Sequence, residues 1–222
     1  MGRMIELTAS DNRKLSAYRA DPAGKPRGGL VVIQEIFGVN SHMKSVADGF
    51  AADGYLAIAP ALFDRVQSNV DLGYTPEDIG KGREIRAKVT NDMAMKDVEA
   101  AVKEASAAGK VGIVGYCWGG FITWLAAAKL TGLAAAVPYY GGGILDNAEL
   151  EPRVALMGHF GERDAHIPVQ GVKQLAERHR KHQIFIYAAD HGFNCDQRGS
   201  YDAAAAKQAR ARTLEFFRQH VG

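Results

Sequence analysis

The segment from Val111 to Gly120, VGIVGYCWGG, constrains the fold more than any other part of the chain. Its apolar first half, rich in β-branched residues, predicts a buried strand. Gly119 and Gly120 predict a tight turn, and the stretch 121–130 (FITWLAAAKL) predicts a helix. The Cys117 thiol is thereby expected at a sharp corner between strand and helix. The free N–H groups and positive dipole end of such a helix favour a thiolate there.

The simplest alternative for Cys117 is a buried structural cysteine at the end of a core strand. The pattern G-x-C-x-G around it instead matches the strained turn that carries a nucleophile in many hydrolases. A phosphate-binding or dinucleotide loop is disfavoured. The segment lacks G-x-G-x-x-G, and the chain contains no G-x-x-x-x-G-K-[ST].

Composition predicts an ordinary globular protein. The 222 residues are 47% hydrophobic and 23% charged, with a net charge of +2 and no composition break, so we predict one domain over residues 1–222. Scattered basic residues predict no nucleic-acid binding. Two cysteines form neither a disulfide framework nor a zinc signature, which favours a cytoplasmic location. The chain has no apolar signal-like start and no apolar run near ~18 residues, so we expect neither a signal peptide nor a membrane association.

Strands alternate with helices after residue 28, which predicts an α/β fold with a mostly parallel central sheet and helices on both faces. An N-terminal hairpin precedes this unit. Asn40 or Ser41 is predicted to cap the first helix, and Asn91 or Asp92 the third. Gly80 and Gly82 are expected to weaken the second helix. Predicted strands cover 29–34, 55–59, 110–116, 133–138, 153–159 and 183–188, and predicted helices cover 41–53, 76–89, 92–108, 121–130, 169–181 and 201–221.

Polar residues follow several predicted strands, where sites lie in sheets of this kind. A thiol with a pKa near ~8.5 needs a base to become a nucleophile and a third group to orient that base. Cys117, Asp164 and His191 occur in the order nucleophile, acid, histidine, which is the order of α/β-hydrolase triads. His159 is the alternative base.

Three further carboxylates deserve comparison with Asp164. Glu162 and Asp190 are its rivals as the acid, and Asp190 ranks last because it adjoins His191 in sequence. Glu35 follows a strand that should be wholly buried, so its charge needs a partner or access to a site. The backbone N–H groups of Ile36 and Trp118 are candidate oxyanion-hole donors by analogy with the hydrolase fold.

Four segments together resemble the dienelactone hydrolase (carboxymethylenebutenolidase) family, over about residues 5–220. They are residues 34–40 (QEIFGVN), 112–120 (GIVGYCWGG), 139–141 (YYG) and 190–193 (DHGF). The resemblance implies an α/β-hydrolase core without metal or organic cofactor, and hydrolysis of dienelactone to maleylacetate.

Several site roles follow from the resemblance alone. It implies a triad of Cys117, His191 and Asp164, and a glutamate, Glu35, that pairs with the resting thiol and is displaced by substrate. Ile36 and Trp118 match its oxyanion-hole donors. Phe37 and Tyr140 match its pocket-lining residues.

The arginines depart from the family pattern. The family holds the substrate carboxylate with two arginines, one of them four residues after the catalytic histidine, where this chain has Cys195. Arg198 is the nearest replacement. Arg83 and Arg86 are both candidates for the second arginine, in the helical region before the elbow. A bidentate arginine is the natural partner of a carboxylate. The presence of Cys195 at this position therefore affects which substrate is expected more than which reaction is expected.

We therefore expect a cysteine-dependent hydrolase that opens a small activated lactone or ester, acting as a monomer or small homo-oligomer. An esterase or thioesterase for other small acyl compounds is the first alternative. The second is a non-catalytic redox sensor in which Cys117 pairs with Cys195, which requires Cα atoms within ~7 Å.

Overall fold

A computed structural model describes residues 2–222 and contains eight strands and six α-helices within them. The strands are β1 (Arg3–Thr8), β2 (Lys14–Ala20), β3 (Gly29–Ile33), β4 (Leu56–Pro60), β5 (Val111–Tyr116), β6 (Leu133–Tyr139), β7 (Ala155–Gly161) and β8 (Gln183–Tyr187). The helices are α1 (Ser41–Ala52), α2 (Pro76–Ala87), α3 (Asn91–Ala105), α4 (Trp118–Lys129), α5 (Val169–Arg178) and α6 (Ala203–His220). None of the helices in this part of the chain has the length and apolar character needed to cross a bilayer.

All eight strands join one sheet in the order β1-β2-β4-β3-β5-β6-β7-β8. Only β2 runs antiparallel to its neighbours, and the remaining pairings are parallel. Every residue of the central strand β3 is buried, which explains its continuous apolar sequence. The predicted mostly parallel α/β sheet is confirmed. Because Ile33 of β3 pairs with Gly115 of β5, the segments that follow these two strands lie side by side.

Helices cover both faces of this sheet. A Cβ added at Gly112 of β5 would lie 2.8 Å from the Phe217 ring of α6. A Cβ added at Gly115 would instead overlap the Gly119 carbonyl of α4. Positions an odd number of residues apart in a strand point to opposite faces, so α6 and α4 lie on opposite sides. The ring centres of Phe50 in α1 and Phe217 in α6 lie 6.1 Å apart, so α1 lies beside α6.

The elbow differs in detail from the prediction. Helix α4 begins at Trp118, directly after Cys117, so Gly119 and Gly120 belong to its first turn rather than to a preceding loop. The sharp reversal falls on Cys117 itself, whose φ of 54° is unusual for a residue with a side chain. The surrounding structure must compensate a strain of about 1–3 kcal/mol at this residue.

The elbow glycines serve close packing of backbones. A Cβ on Gly119 would overlap the carbonyl oxygen of Gln34, just beyond β3, and one on Gly120 would overlap the carbonyl of Tyr139 in β6. These two segments therefore approach α4 more closely than any side chain allows. This close packing holds Cys117 at the carboxyl end of the central strand β5.

Helix ends agree with the predicted ends to within three residues. Asn40 caps α1 by accepting a hydrogen bond from the backbone N–H three residues later, at 3.2 Å. The predicted caps of α3 are wrong, because Thr90 performs this role at the same distance. Thr90, Asn91 and Asp92 are all good N-cap types, so local sequence alone does not choose among them.

We expect Gly119→Ala to lower the free energy of unfolding by about 1–3 kcal/mol or more, because the added methyl group overpacks the contact with the backbone after β3. Gly80→Ala is the matched control. Gly80 lies in α2 with nothing within 4 Å of an added Cβ, and alanine's helix propensity predicts a gain of up to ~1 kcal/mol. Urea denaturation of both variants measures the difference. Equal midpoints for Gly119→Ala and wild type would contradict this account of the elbow.

Candidate active site

A cavity of about 240 Å³ opens beyond the carboxyl ends of the central strands. It gathers residues that are up to 162 positions apart in sequence, from Ile36 to Arg198. Six of the predicted site residues contribute to its wall. The lining residues are Ile36, Phe37, Ile79, Arg83, Cys117, Gly142, His166, His191 and Arg198.

Asp164 and His191 form the best-defined pair in the cavity. His191 Nδ1 lies 2.7 Å from Asp164 Oδ2 and donates a hydrogen bond to it. The other carboxylate oxygen of Asp164 accepts from the backbone N–H groups of His166, at 2.8 Å, and Ile167, at 3.2 Å. These bonds hold the carboxylate in one orientation, and the carboxylate in turn orients the imidazole.

Cys117 and His191 both line the cavity, and the thiol lies close enough to the imidazole to influence its pKa. Burial alone would lower the pKa of His191, but the hydrogen bond to Asp164 and the nearby Cys117 thiol outweigh it and raise the pKa to about 10. A protonated imidazole is therefore stable between the two groups at neutral pH. An imidazolium at this position would stabilise a thiolate on Cys117 once the thiol has lost its proton.

His159, the alternative base, lies in the core and is fully buried. Its two ring nitrogens are hydrogen bonded to the hydroxyls of Tyr187, at 2.8 Å, and Thr213, at 3.1 Å. Burial, with the nearby charge of Arg212, lowers the pKa of His159 to about 3. It stays neutral and has no opening to the cavity.

The rival carboxylates lie at the surface. Glu162 is exposed, and exposed Asp190 lies 3.7 Å from the guanidinium of Arg163. Among the described residues, the carboxylate that is hydrogen bonded to His191 is that of Asp164.

Glu35 is almost completely buried, at 1% exposure, directly behind the cavity. The resemblance implies that Glu35 pairs with the resting thiol, but its partner in residues 2–222 is Arg198, 3.3 Å from Oε1. Its second oxygen, Oε2, has no hydrogen-bond partner within that range. The Arg198 guanidinium also lies 5.8 Å from the centre of the Phe37 ring. The buried carboxylate thus holds a cation at the cavity wall.

Cys195, which replaces the family arginine, lies behind this ion pair and is fully buried. Burial, with the charge of Glu35, raises the pKa of its thiol to about 11. The Tyr74 hydroxyl is within hydrogen-bonding reach of this thiol and accepts a hydrogen bond from Asn40 at 3.0 Å. Cys195 is therefore a neutral thiol in the wall and does not reach the cavity.

The backbone N–H groups of Ile36 and Trp118, the candidate oxyanion-hole donors, belong to segments that follow neighbouring strands of the sheet. Trp118 is the first residue of α4, so its N–H has no partner inside the helix. Ile36 lines the cavity beyond β3. A Cβ on Gly82 would overlap the Ile36 carbonyl, so this glycine lets α2 pack against the Ile36 backbone. The sequence predicts only that Gly82 weakens the helix, whereas the structure gives it this packing role as well.

Two predicted substrate-binding residues do not line the cavity. Tyr140 is fully buried beneath His191, with ring centres 5.2 Å apart, and its hydroxyl has no partner within residues 2–222. Its contact is with the catalytic candidate rather than with the cavity. Arg86 lies on the same helix as Arg83, about 4.5 Å further along the axis, and is not among the lining residues.

Sequence reasoning missed Ile79, His166 and Gly142. Ile79 and Arg83 are four residues apart and share one face of α2, so the helix period was a usable signal. The His166 ring centre lies 5.3 Å from that of His191, and its backbone is bound by Asp164. No local pattern marked Gly142.

The sheet order, the strained cysteine at the β5–α4 elbow and the acid–histidine pair at the following strand ends define a protein of the α/β-hydrolase fold class. Comparison with known proteins gives the particular family. A model of the "Dienelactone hydrolase family" matches residues 15–221, so the chain belongs to the dienelactone hydrolase family.

Individual relatives agree with this assignment. A carboxymethylenebutenolidase from Pseudomonas putida is 32% identical, over 96% of this chain and 94% of the relative. A candidate carboxymethylenebutenolidase from Synechocystis is 36% identical over the same shares of the two chains. The crystal structure of a candidate dienelactone hydrolase from Klebsiella pneumoniae superposes with a TM-score of 0.86 at 32% identity, covering 99% of this chain and all of that one. The predicted family, fold and hydrolase class are confirmed.

We expect Asp164→Asn to destabilise the protein most at low pH. The folded-state pKa of His191 is raised to about 10, against ~6.5 in an unfolded chain, so its contribution is fully present below ~6.5 and is lost as pH rises through about 10. Urea unfolding of wild type and Asp164→Asn from pH 6 to pH 10 tests this. The difference in unfolding free energy should shrink with rising pH; a constant or growing difference would contradict the pairing.

Proposed function

We propose that this protein hydrolyses a small activated lactone or ester that carries a carboxylate, with Cys117 as the nucleophile, and that dienelactone, opened to maleylacetate, is the reaction it fits best. The observation that carries the proposal is the placement of His191 between Asp164 and Cys117 in a cavity lined by two arginines. The relatives named carboxymethylenebutenolidase support the same choice.

The first step is attack by the Cys117 thiolate on the lactone carbonyl carbon. The negative charge that forms on the carbonyl oxygen is bound by the N–H groups of Ile36 and Trp118. Collapse of this intermediate breaks the ring C–O bond and leaves an acyl group on sulfur. The departing enolate is stabilised by conjugation and takes up a proton, which the His191 imidazolium can supply.

The second step releases the acyl group. His191, now neutral, accepts a proton from a water molecule that attacks the thioester carbon, and Asp164 stabilises the imidazolium that forms. The C–S bond breaks and the thiolate returns. Thiolates favour activated esters and lactones over amides, so we expect poor action on peptides.

A substrate carboxylate has a specific place in this scheme. Arg198 and Arg83 both line the cavity, and Arg198 is held by Glu35 at 3.3 Å. A substrate carboxylate that takes Arg198 weakens this pair and frees Glu35 to accept the proton of the Cys117 thiol. Substrate binding and nucleophile activation would then be coupled.

An esterase or thioesterase for other small acyl compounds is the second candidate. One observation favours it: the neutral Cys195 stands where the family has an arginine, which removes one carboxylate contact. The redox-sensor hypothesis has less support. A resolving cysteine attacks as a thiolate, and a buried thiol with a pKa raised to about 11 is protonated at neutral pH. The cytoplasmic location and the small oligomeric state stay predictions.

Turnover of cis- and trans-dienelactone, followed by ultraviolet absorbance, tests the reaction. Cys117→Ala should reduce kcat by about 10⁴-fold or more, because nucleophile removal has losses of this order in triad enzymes. Cys195→Ala is the matched cysteine control. Its kcat should fall by less than about tenfold, because the Cys195 thiol lies outside the cavity. If Cys117 were needed for cleavage of p-nitrophenyl acetate but dienelactone were not turned over, Cys117 would still be the nucleophile. The protein would then be the esterase or thioesterase of the second candidate function.

Arg198→Gln tests the substrate carboxylate. A charged hydrogen bond contributes about 1.5–3 kcal/mol, so KM for dienelactone should rise by about tenfold to a hundredfold. KM for p-nitrophenyl acetate, which has no carboxylate, should change much less. Arg86→Gln, outside the cavity wall, should alter neither. An equal rise for both substrates would show that Arg198 supports the fold of the site rather than the carboxylate.

A further inference from the structure

A second cluster of chemically active side chains lies at the opposite edge of the sheet. Glu151 precedes β7, His179 follows α5, and His182 directly precedes β8. All three sit at the amino ends of these strands, whereas Asp164 and His191 follow the carboxyl ends. One ligand atom from each side chain lies within 4.8 Å of the other two.

The His179 ring is held in a defined orientation. Its Nε2 lies 2.7 Å from the Ala148 carbonyl oxygen and donates a hydrogen bond to it. In the neutral ring, Nδ1 therefore carries the lone pair. That atom is buried, has no hydrogen-bond partner within residues 2–222, and lies 3.3 Å from Glu151 Oε2. Two acceptor atoms face each other at this distance, which is unfavourable unless a cation is shared between them.

His182 supplies a second buried nitrogen of the same kind. Its Nε2 has no hydrogen-bond partner in the described part of the chain. Of the two rings, His179 has its other nitrogen bonded to a backbone carbonyl. This is the usual form of a histidine metal ligand, because the carbonyl fixes the tautomer and the direction of the lone pair.

We propose that Glu151, His179 and His182 bind one divalent transition-metal ion, with Zn²⁺ the best match to two imidazoles and a carboxylate, and with water completing the coordination. Zn–N and Zn–O bonds of about 2.0–2.1 Å place tetrahedral ligand atoms about 3.3 Å apart. The separation of His179 Nδ1 and Glu151 Oε2 already equals this value. His182 Nε2 needs to move inward by at most ~1.5 Å, which a rotamer adjustment near an exposed rim permits.

Lys181 also contacts the cluster, through an ion pair with Glu151 Oε1. It leaves Oε2, the oxygen that faces His179, available to the ion. Its charge opposes the metal, so affinity is limited by this lysine. Lys181→Ala is accordingly expected to tighten binding.

The metal would join two separate segments. Glu151 belongs to the long connection between β6 and β7, and the histidines belong to the connection between α5 and β8. The structure also supplies a reporter. The Trp124 ring lies edge-on to His179 with centres 5.1 Å apart, and its Nε1 donates to the Asn147 carbonyl at 3.1 Å. A paramagnetic ion at this site should quench Trp124 fluorescence.

The experiment titrates untagged, chelator-treated protein with Co²⁺ and Zn²⁺. Wild type should bind one equivalent of Co²⁺, with visible absorption typical of four or five nitrogen and oxygen ligands and with quenched tryptophan emission. Zn²⁺ should displace the Co²⁺ and raise Tm. His182→Ala and Glu151→Gln should each weaken binding by about tenfold or more. His220→Ala, a histidine on α6 outside the cluster, should bind as wild type does.

Three results would overturn the proposal. Absence of Co²⁺ binding by wild type would mean that a proton on His179, rather than a metal, joins it to Glu151. A thiolate-to-cobalt charge-transfer band would place the ion at the other candidate cluster, His42, Cys195 and Asp196. Unchanged affinity in both His182→Ala and Glu151→Gln would exclude these ligands. The Co²⁺ spectrum of wild type decides the first two points even where a variant folds poorly.

Discussion

The close approach of α4 to the backbones beyond β3 and within β6 is the constraint on which the rest of this protein depends. It requires glycine at positions 119 and 120 and places the reversal of the chain on Cys117, at φ = 54°. Strain at one residue is tolerable because three packed segments over-determine it. The same geometry makes Trp118 the first residue of α4, so its N–H has no partner inside the helix. Packing, strain and the candidate chemistry therefore have one origin.

Electrostatics around the cavity are arranged as two linked pairs. Asp164 holds the proton-bearing His191, and buried Glu35 holds Arg198. Both carboxylates are nearly inaccessible to water, so each needs its cation, and each cation faces the cavity. A substrate that brings its own carboxylate would compete for Arg198 alone. In the proposed reaction, this asymmetry would couple substrate binding to the state of the thiol.

Much of the architecture could be predicted from sequence, because the spacing of apolar residues along the chain differs between strands and helices. The buried run of β3 and the alternation of strands and helices predicted the parallel sheet correctly. Cap positions were less certain, since Thr90, Asn91 and Asp92 are adjacent and chemically equivalent as caps. Glycine both disfavours a helix and permits close backbone contacts, so its role in α2 and α4 could not be predicted from sequence: Gly82 and Gly119 lie inside helices and contact other segments.

The sequence by itself determined which chemical groups are available and which strand each one follows: a thiol after β5, a carboxylate after β7 and an imidazole after β8. Their roles follow from order along the chain and family resemblance, and stay predictions. Only the tertiary structure decided which cations reach the cavity. Arg83 and Arg198 line it, whereas Arg86 does not, and Glu35 is paired with Arg198 rather than with the thiol. The reason is that an ion pair joins residues 163 positions apart, and sequence pattern carries no measure of that distance.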